Sequence, residues 1–221
     1  MWSIESELDD AGAPYDRRAA LYDRLVRSRM YNRMAWSSAP DDYAQFAARA
    51  FASADGPLLE AAAGSAAATA ELHASTQRPT VLVDLSRAML ERAARRIAAA
   101  AGDDADGQAL PPHIRLVQAD LLAVGFPAGG FTTVLGLGLT HLFADLPPLV
   151  GALRAQLAPG GQLYLAGLVA QTRRGRQYLE LLHRAGEVPV PRTAEELHVA
   201  LGRPADFRTT GCMAYATFTA V

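Results

Sequence analysis

From residue 15 to 53 the apolar positions recur at helical spacing: Tyr22, Leu25, Val26, Met30, Met34, Tyr43 and Phe46 fall on one face. Pro40-Asp41-Asp42 interrupts this run and reads as a fresh helix start. Short continuous apolar runs then alternate with helical ones. The pattern predicts strands near 57–61, 80–84, 114–118, 131–138 and 162–169, with helices over 65–76, 86–101 and 145–157, the last stopped by Pro159-Gly160-Gly161. Strands that are apolar throughout, separated by helices, predict a parallel sheet covered on both faces. The polar stretch from Gly102 to Gly107, up to Pro111-Pro112, reads as a linker inside the domain. Past residue 170 an Arg-rich helical segment runs to His183, a short helix fits 193–201, and Phe207 to Val221 has strand character. Two units result, a helical cap over 1–53 and an α/β domain over 54–221. No internal repeat appears.

Composition supports a globular α/β protein: 221 residues, half of them hydrophobic and a fifth charged, suffice for a large core. A formal charge of −2 gives no general attraction for nucleic acid or anionic membrane. The single Cys212 permits no intrachain disulfide and no multi-cysteine metal cluster, which fits a reducing cytoplasm. The first ten residues are acidic, and no apolar run approaches eighteen, so neither secretion nor membrane spanning is expected. All 21 basic residues are arginine. Without lysine there is no Schiff-base nucleophile and no phosphate-loop lysine.

The most informative segment is Pro57-Leu-Leu-Glu60-Ala61-Ala62-Ala63-Gly64-Ser65-Ala66, followed by Val81-Leu-Val-Asp84-Leu85-Ser86. It reads as strand, small-residue turn, helix and a second strand ending in a carboxylate. Small side chains let a ligand approach the backbone, a helix start offers free N–H groups, and a carboxylate some twenty residues on can accept ribose hydroxyls. A dinucleotide strand stays apolar up to its glycines, whereas here Glu60 precedes the turn.

The motif resembles that of the class I S-adenosylmethionine-dependent methyltransferases. Glu60, Ala62, Gly64 and Ala66 fall on the positions of that family's acid and three glycines. Asp84 with Leu85, Ser86 and Met89 resembles its second strand end, Gln118-Ala-Asp120-Leu121 its third, Phe131-Thr-Thr-Val-Leu-Gly136 through His141 its fourth, and Leu157-Ala-Pro-Gly-Gly161 the turn into its fifth. The resemblance spans 57 to 170. It implies a Rossmann-like, doubly wound, mostly parallel seven-stranded sheet with an antiparallel C-terminal strand, and S-adenosylmethionine as cofactor. Glu60, Ala61, Ala62, Gly64, Asp84, Leu85, Met89, Asp120, Leu121 and Gly136 are then the cofactor-binding candidates. Two of the three motif glycines are alanines. If either position needs a positive φ, Ala costs about 1 kcal/mol there; alternatively Ala66 lies in the helix, where Ala is the better residue.

Methyl transfer from a sulfonium is a direct displacement, for which alignment and exclusion of water supply much of the rate. For an oxygen nucleophile a general base helps, and His141, just after the fourth strand, is the candidate by position. Tyr15, Tyr22 and Tyr31 on the cap are candidates for lining the acceptor site, and 170–205 corresponds to the family's variable substrate-side insertion. No metal is expected, because no ligand cluster of suitable spacing occurs. The expectation is methyl transfer to an oxygen or nitrogen of a small molecule. Two alternatives stand beside it: a methyltransferase-fold binding protein without activity, which the alanines favour, and a nicotinamide oxidoreductase, which Glu60 and the missing Gly-x-Gly-x-x-Gly oppose.

Overall fold

The computed structural model describes residues 3–6, 40–102 and 109–220. They build an eight-stranded sheet from β1 (Ile4–Ser6), β2 (Leu58–Ala61), β3 (Thr80–Asp84), β4 (Ile114–Gln118), β5 (Phe131–Gly136), β6 (Leu157–Leu168), β7 (Asp206–Thr210) and β8 (Met213–Thr219). Their order is β1-β4-β3-β2-β5-β6-β8-β7. β8 runs antiparallel to both β6 and β7, and the pairings among β1 to β6 are parallel. The expected α/β sheet with its antiparallel C-terminal strand is therefore present, with one strand added. That strand is β1, three residues pairing with the edge of β4 and joined to it by a 2.7 Å ion pair between exposed Glu5 and Arg115. With a single apolar position, Ile4, it leaves no alternation for a sequence pattern to reveal.

The central strands explain the apolar runs. All four residues of β2 are buried, because β3 and β5 flank it and helices cover both faces. α1 (Pro40–Ala52) begins at the break seen in sequence and packs Phe46, Ala47 and Ala50 against Leu135, Tyr164, Ala166 and Tyr215. The opposite face carries α4 (Leu146–Ala155), with Leu149, Val150 and Leu153 in the main core. α3 (Arg87–Ala101) buries Leu90, Ala93, Ala94 and Ile97 at the i, i+3, i+4, i+7 spacing of one helix face. Ser86 caps its start by accepting the Met89 N–H at 3.2 Å, and Gly102 ends it at φ 66°. α5 (Arg173–Arg184) and α6 (Ala194–Ala200) start at Thr172 and Thr193, each a side-chain cap, and Glu196 completes a capping box with Thr193.

One helix is shorter than expected. α2 spans only Ala70–Ser75, and residues 62–69 form successive turns. β6 is longer than expected, since Leu157 already pairs with Phe131 at the start of β5, and a register shift follows before Gln162 pairs with Thr133.

Arg78 ties the first helix to the base of the sheet. It is 6% exposed, and no carboxylate of the described residues forms an ion pair with it. Instead its guanidinium donates to the carbonyls of Phe51 at 2.7 Å and Gly56 at 2.8 Å and to the Thr133 hydroxyl at 2.8 Å. The Phe51 carbonyl belongs to the last turn of α1, where unpaired C=O groups favour a cation.

Candidate functional site

The parallel strands β2, β3, β4 and β5 end at one edge of the sheet, and their following loops gather there. β2 is the point where the strand order reverses, since the chain turns from it to β3 on one side and places β5 on the other. Open α/β sheets bind ligands in the crevice at such a point.

The turn after β2 is unusual in its backbone. Ala62, Gly64 and Ala66 have φ of 52°, 54° and 51°, all left-handed. The question left by the sequence is thereby decided: Ala66 is not in a helix, and both alanines occupy positions that glycine would fill without steric cost. Backbone bonds shape the turn, from Ala63 N–H to the Val83 carbonyl at 2.9 Å and from Ala66 N–H to the Ala63 carbonyl at 3.0 Å. Where a Cβ would project from Gly64 there is open space, with no atom within 4 Å.

Asp84, half-buried at the end of β3, accepts the Gly64 N–H through Oδ2 and the Ser86 N–H through Oδ1, both at 2.8 Å. It thus joins the turn to the start of α3. Leu85 beside it is 38% exposed, while Met89 is buried one turn along the helix. Asp120 is exposed past the end of β4 and accepts the Leu122 N–H at 2.9 Å, an Asx turn, with Leu121 packed against the core. Gly136 ends β5; a Cβ there would lie 2.7 Å from a Leu139 methyl and 2.9 Å from one of Leu165, so a side chain would make those two leucine ends shift. Ala61 is fully buried in β2.

Glu60 is placed differently from the other carboxylates. It is 2% exposed, its Oε1 accepts the Thr69 hydroxyl at 3.0 Å, and its Oε2 meets His73 Nε2 in a buried pair. The His73 ring stacks edge-on against Phe51, 4.8 Å between centroids. Both partners lie beyond the turn, so Glu60 holds the turn to α2 from beneath.

His141, the candidate base, is buried in the short 3-10 turn Thr140–Leu142 after β5. Its Nδ1 accepts the Leu168 N–H at 3.3 Å, and burial pushes its pKa down to about 4. At neutral pH the ring is uncharged, its basic nitrogen is engaged, and the proton sits on Nε2. That arrangement leaves Nε2–H as a donor at neutral pH. Tyr15, Tyr22 and Tyr31 lie outside the described residues. α1 contributes Tyr43, whose hydroxyl approaches Gly138 closely: a Cβ on that glycine would be 3.2 Å from it.

Sequence reasoning missed Thr69, His73, Tyr43 and Arg96, which donates to Ser65 inside the turn. His73 carried a signal, three positions from Ala70 on the buried face of its helix, as did Tyr43, on the apolar face that the helical spacing predicts. Among the described residues no group of three His, Cys, Asp or Glu could hold a metal, and no helix is long and apolar enough to cross a membrane. A shallow depression of about 460 Å³ by Gly129, Arg154, Leu157 and Pro159 opens at the opposite edge of the sheet and includes none of the groups above.

A family model described as a methyltransferase domain matches residues 58–161. No curated protein sequence matches the chain. Among solved structures, geranyl diphosphate C-methyltransferase from Streptomyces coelicolor A3(2) is similar at TM-score 0.65 and 15% identity, covering 96% of this chain and 83% of that one. An S-adenosyl-L-methionine-dependent methyltransferase, so described, from Methanococcus maripaludis superimposes at TM-score 0.60 and 12% identity over 97% of both chains. The [4+2]-cyclase SpnF matches at TM-score 0.65 and 15% identity, over 89% of this chain and 73% of that one. These likenesses establish a shared fold, and the cyclase indicates that the fold serves more than one reaction.

Proposed function

Residues 58–161 form a domain of the methyltransferase family, and from this premise we propose that the chain transfers the methyl group of S-adenosylmethionine to an oxygen or nitrogen atom of a small molecule. The observation that carries the proposal is the left-handed turn at 62–66 with Asp84 bonded across it, at the point where the strand order reverses.

The residues present fit such a cofactor. The space over Gly64 admits a ligand against the backbone, as a nucleoside with an amino-acid tail requires. Asp84, at the end of β3 and bonded to the turn, is the acceptor for ribose hydroxyls. Leu85, Met89 and Leu121 form the apolar surround for an adenine, with Asp120 at its amino edge. Ala61, Ala62, Gly64 and Gly136 supply backbone and space. Glu60 acts from below, keeping the turn in place for the amino-acid end. When bound, the cofactor supplies an electrophilic methyl group on a good leaving group.

The remaining work of the protein is alignment and exclusion of water. His141 Nε2–H orients an acceptor by donating to it, and Tyr43 closes the crevice from α1. With His141 Nδ1 accepting the Leu168 N–H, the acceptor best suited is one already nucleophilic at neutral pH: a nitrogen with its lone pair, or an acidic hydroxyl that ionises unaided. The small-molecule neighbours support this size of acceptor, since the Streptomyces coelicolor structure was solved with geranyl-S-thiolodiphosphate and S-adenosyl-L-homocysteine.

Titration calorimetry of the purified chain with S-adenosylmethionine, S-adenosylhomocysteine and NADH tests the proposal. Heat with the first two and none with NADH is expected. Binding of NADH alone, or of none of the three, would overturn it.

A further inference from the structure

We propose that Arg96 is a positioning residue that holds the alanine-containing turn in its left-handed conformation, and that cofactor affinity in this chain depends on it because Ala62 and Ala66 stand where glycine would need no such restraint. The inference rests on the function proposed above and concerns the same site.

Three observations carry it. First, Ala62 and Ala66 lie at φ 52° and 51°, conformations that crowd Cβ against the following carbonyl. Left to local preference, this segment moves out of them. Second, the residue between Gly64 and Ala66 is gripped from another element: Arg96 Nη1, on α3, donates to the Ser65 carbonyl and, at 2.7 Å, to the Ser65 hydroxyl. Ser65 is 8% exposed and Arg96 is half-buried, and bonds donated by a charged guanidinium are stronger than neutral ones. Third, the neighbouring bond from Gly64 N–H to Asp84 anchors the same turn to the end of β3. Arg96 and Asp84 thus hold two successive residues from two different elements, and the left-handed positions flank the pair they hold. Strain of this kind persists where surrounding structure over-determines it.

The test is a double-mutant cycle among the wild-type chain, R96A, A62G/A66G and the triple variant. Two quantities are read: affinity for S-adenosylhomocysteine by calorimetry, and hydrogen exchange of the 60–70 segment without ligand. Removing Arg96 is expected to weaken binding about tenfold and speed exchange across 62–66 in the alanine background, but to change affinity less than about twofold once both alanines are glycine. R96M keeps the aliphatic stem and loses the donors, so it gives the same result if R96A fails to fold. An equal loss in both backgrounds, or none in the alanine background, overturns the proposal. If the wild-type chain binds no S-adenosylhomocysteine, the methyltransferase reading fails while the exchange measurement still decides the clamp: faster exchange in the alanine background alone supports it, and unchanged exchange overturns it.

Discussion

Asp84 and Gly64, twenty residues apart, are joined across the edge of the sheet by a bond of 2.8 Å from the glycine N–H to the carboxylate Oδ2. The same carboxylate holds the first N–H of the following helix region at Ser86. One side chain therefore sets the distance between the turn after β2 and the start of α3, the two walls of the proposed nucleoside site.

Asp84→Asn keeps one acceptor oxygen but turns an N–H₂ toward a backbone N–H and removes the charge. Charge-assisted bonds of this type contribute about 1.5–3 kcal/mol, so affinity for S-adenosylhomocysteine is expected to fall roughly tenfold to a hundredfold. Calorimetry on D84N measures this; an unchanged affinity would remove Asp84 from the site.

The buried Glu60–His73 pair gives a stability prediction. His73→Ala leaves a buried Glu60 oxygen without its ring partner, and an unsatisfied buried group of this kind costs about 1–3 kcal/mol. Changing Glu60 to Gln as well replaces the carboxyl by a neutral amide that is less costly to bury, so H73A/E60Q is expected to be more stable than H73A alone. Urea denaturation of the three proteins reads the difference directly.

Arg78 is expected to be intolerant even of lysine. Its donors serve Phe51, Gly56 and Thr133 from a planar fork, which an ammonium cannot reproduce. Both R78A and R78K should lose about 2 kcal/mol or more through unsatisfied buried carbonyls, with thermal melting as the measurement. A wild-type melting temperature for R78K would show that a point charge is enough.

His141 predicts how stability depends on pH. Its folded pKa, about 4, lies below the value of about 6.5 for an exposed histidine. Between these values the unfolded chain binds the proton and the folded chain does not, so acid favours unfolding. Its contribution, roughly 3 kcal/mol at most, is fully present above about pH 6.5 and is lost as pH falls toward 4. Denaturation of the wild type and H141N at pH 4.5, 5.5 and 7.5 should show a shallower slope in the variant. Turnover should show no inflection near pH 6.5 from this ring, and such an inflection, absent in H141N, would restore it as the base.

The interior of the sheet was legible from the chain because its strands are buried on both faces and have no polar side to show. Leu58–Ala61 and Thr80–Asp84 were therefore found nearly to the residue, and Ile114–Gln118 was found from its buried Ile114, Leu116 and Val117 despite exposed Arg115. The strand Ile4–Ser6 was not, since an edge strand of three residues is defined by its hydrogen bonds to β4 and not by its own composition. The short α2 was misjudged for a related reason. Alanine is the best helix former by local preference, and nothing nearby in sequence announces that Arg96, thirty-one positions away, and Asp84, twenty away, hold the segment elsewhere.

By itself the sequence determined the order of elements, the family resemblance and the edge of the sheet at which the proposed site lies, because hydrophobic period and residue spacing are properties of the chain. Only the tertiary structure decided what each polar group does there. Whether Glu60 faces a ligand or His73, and whether His141 accepts or donates a proton, depends on partners brought together across tens of residues and on their removal from water.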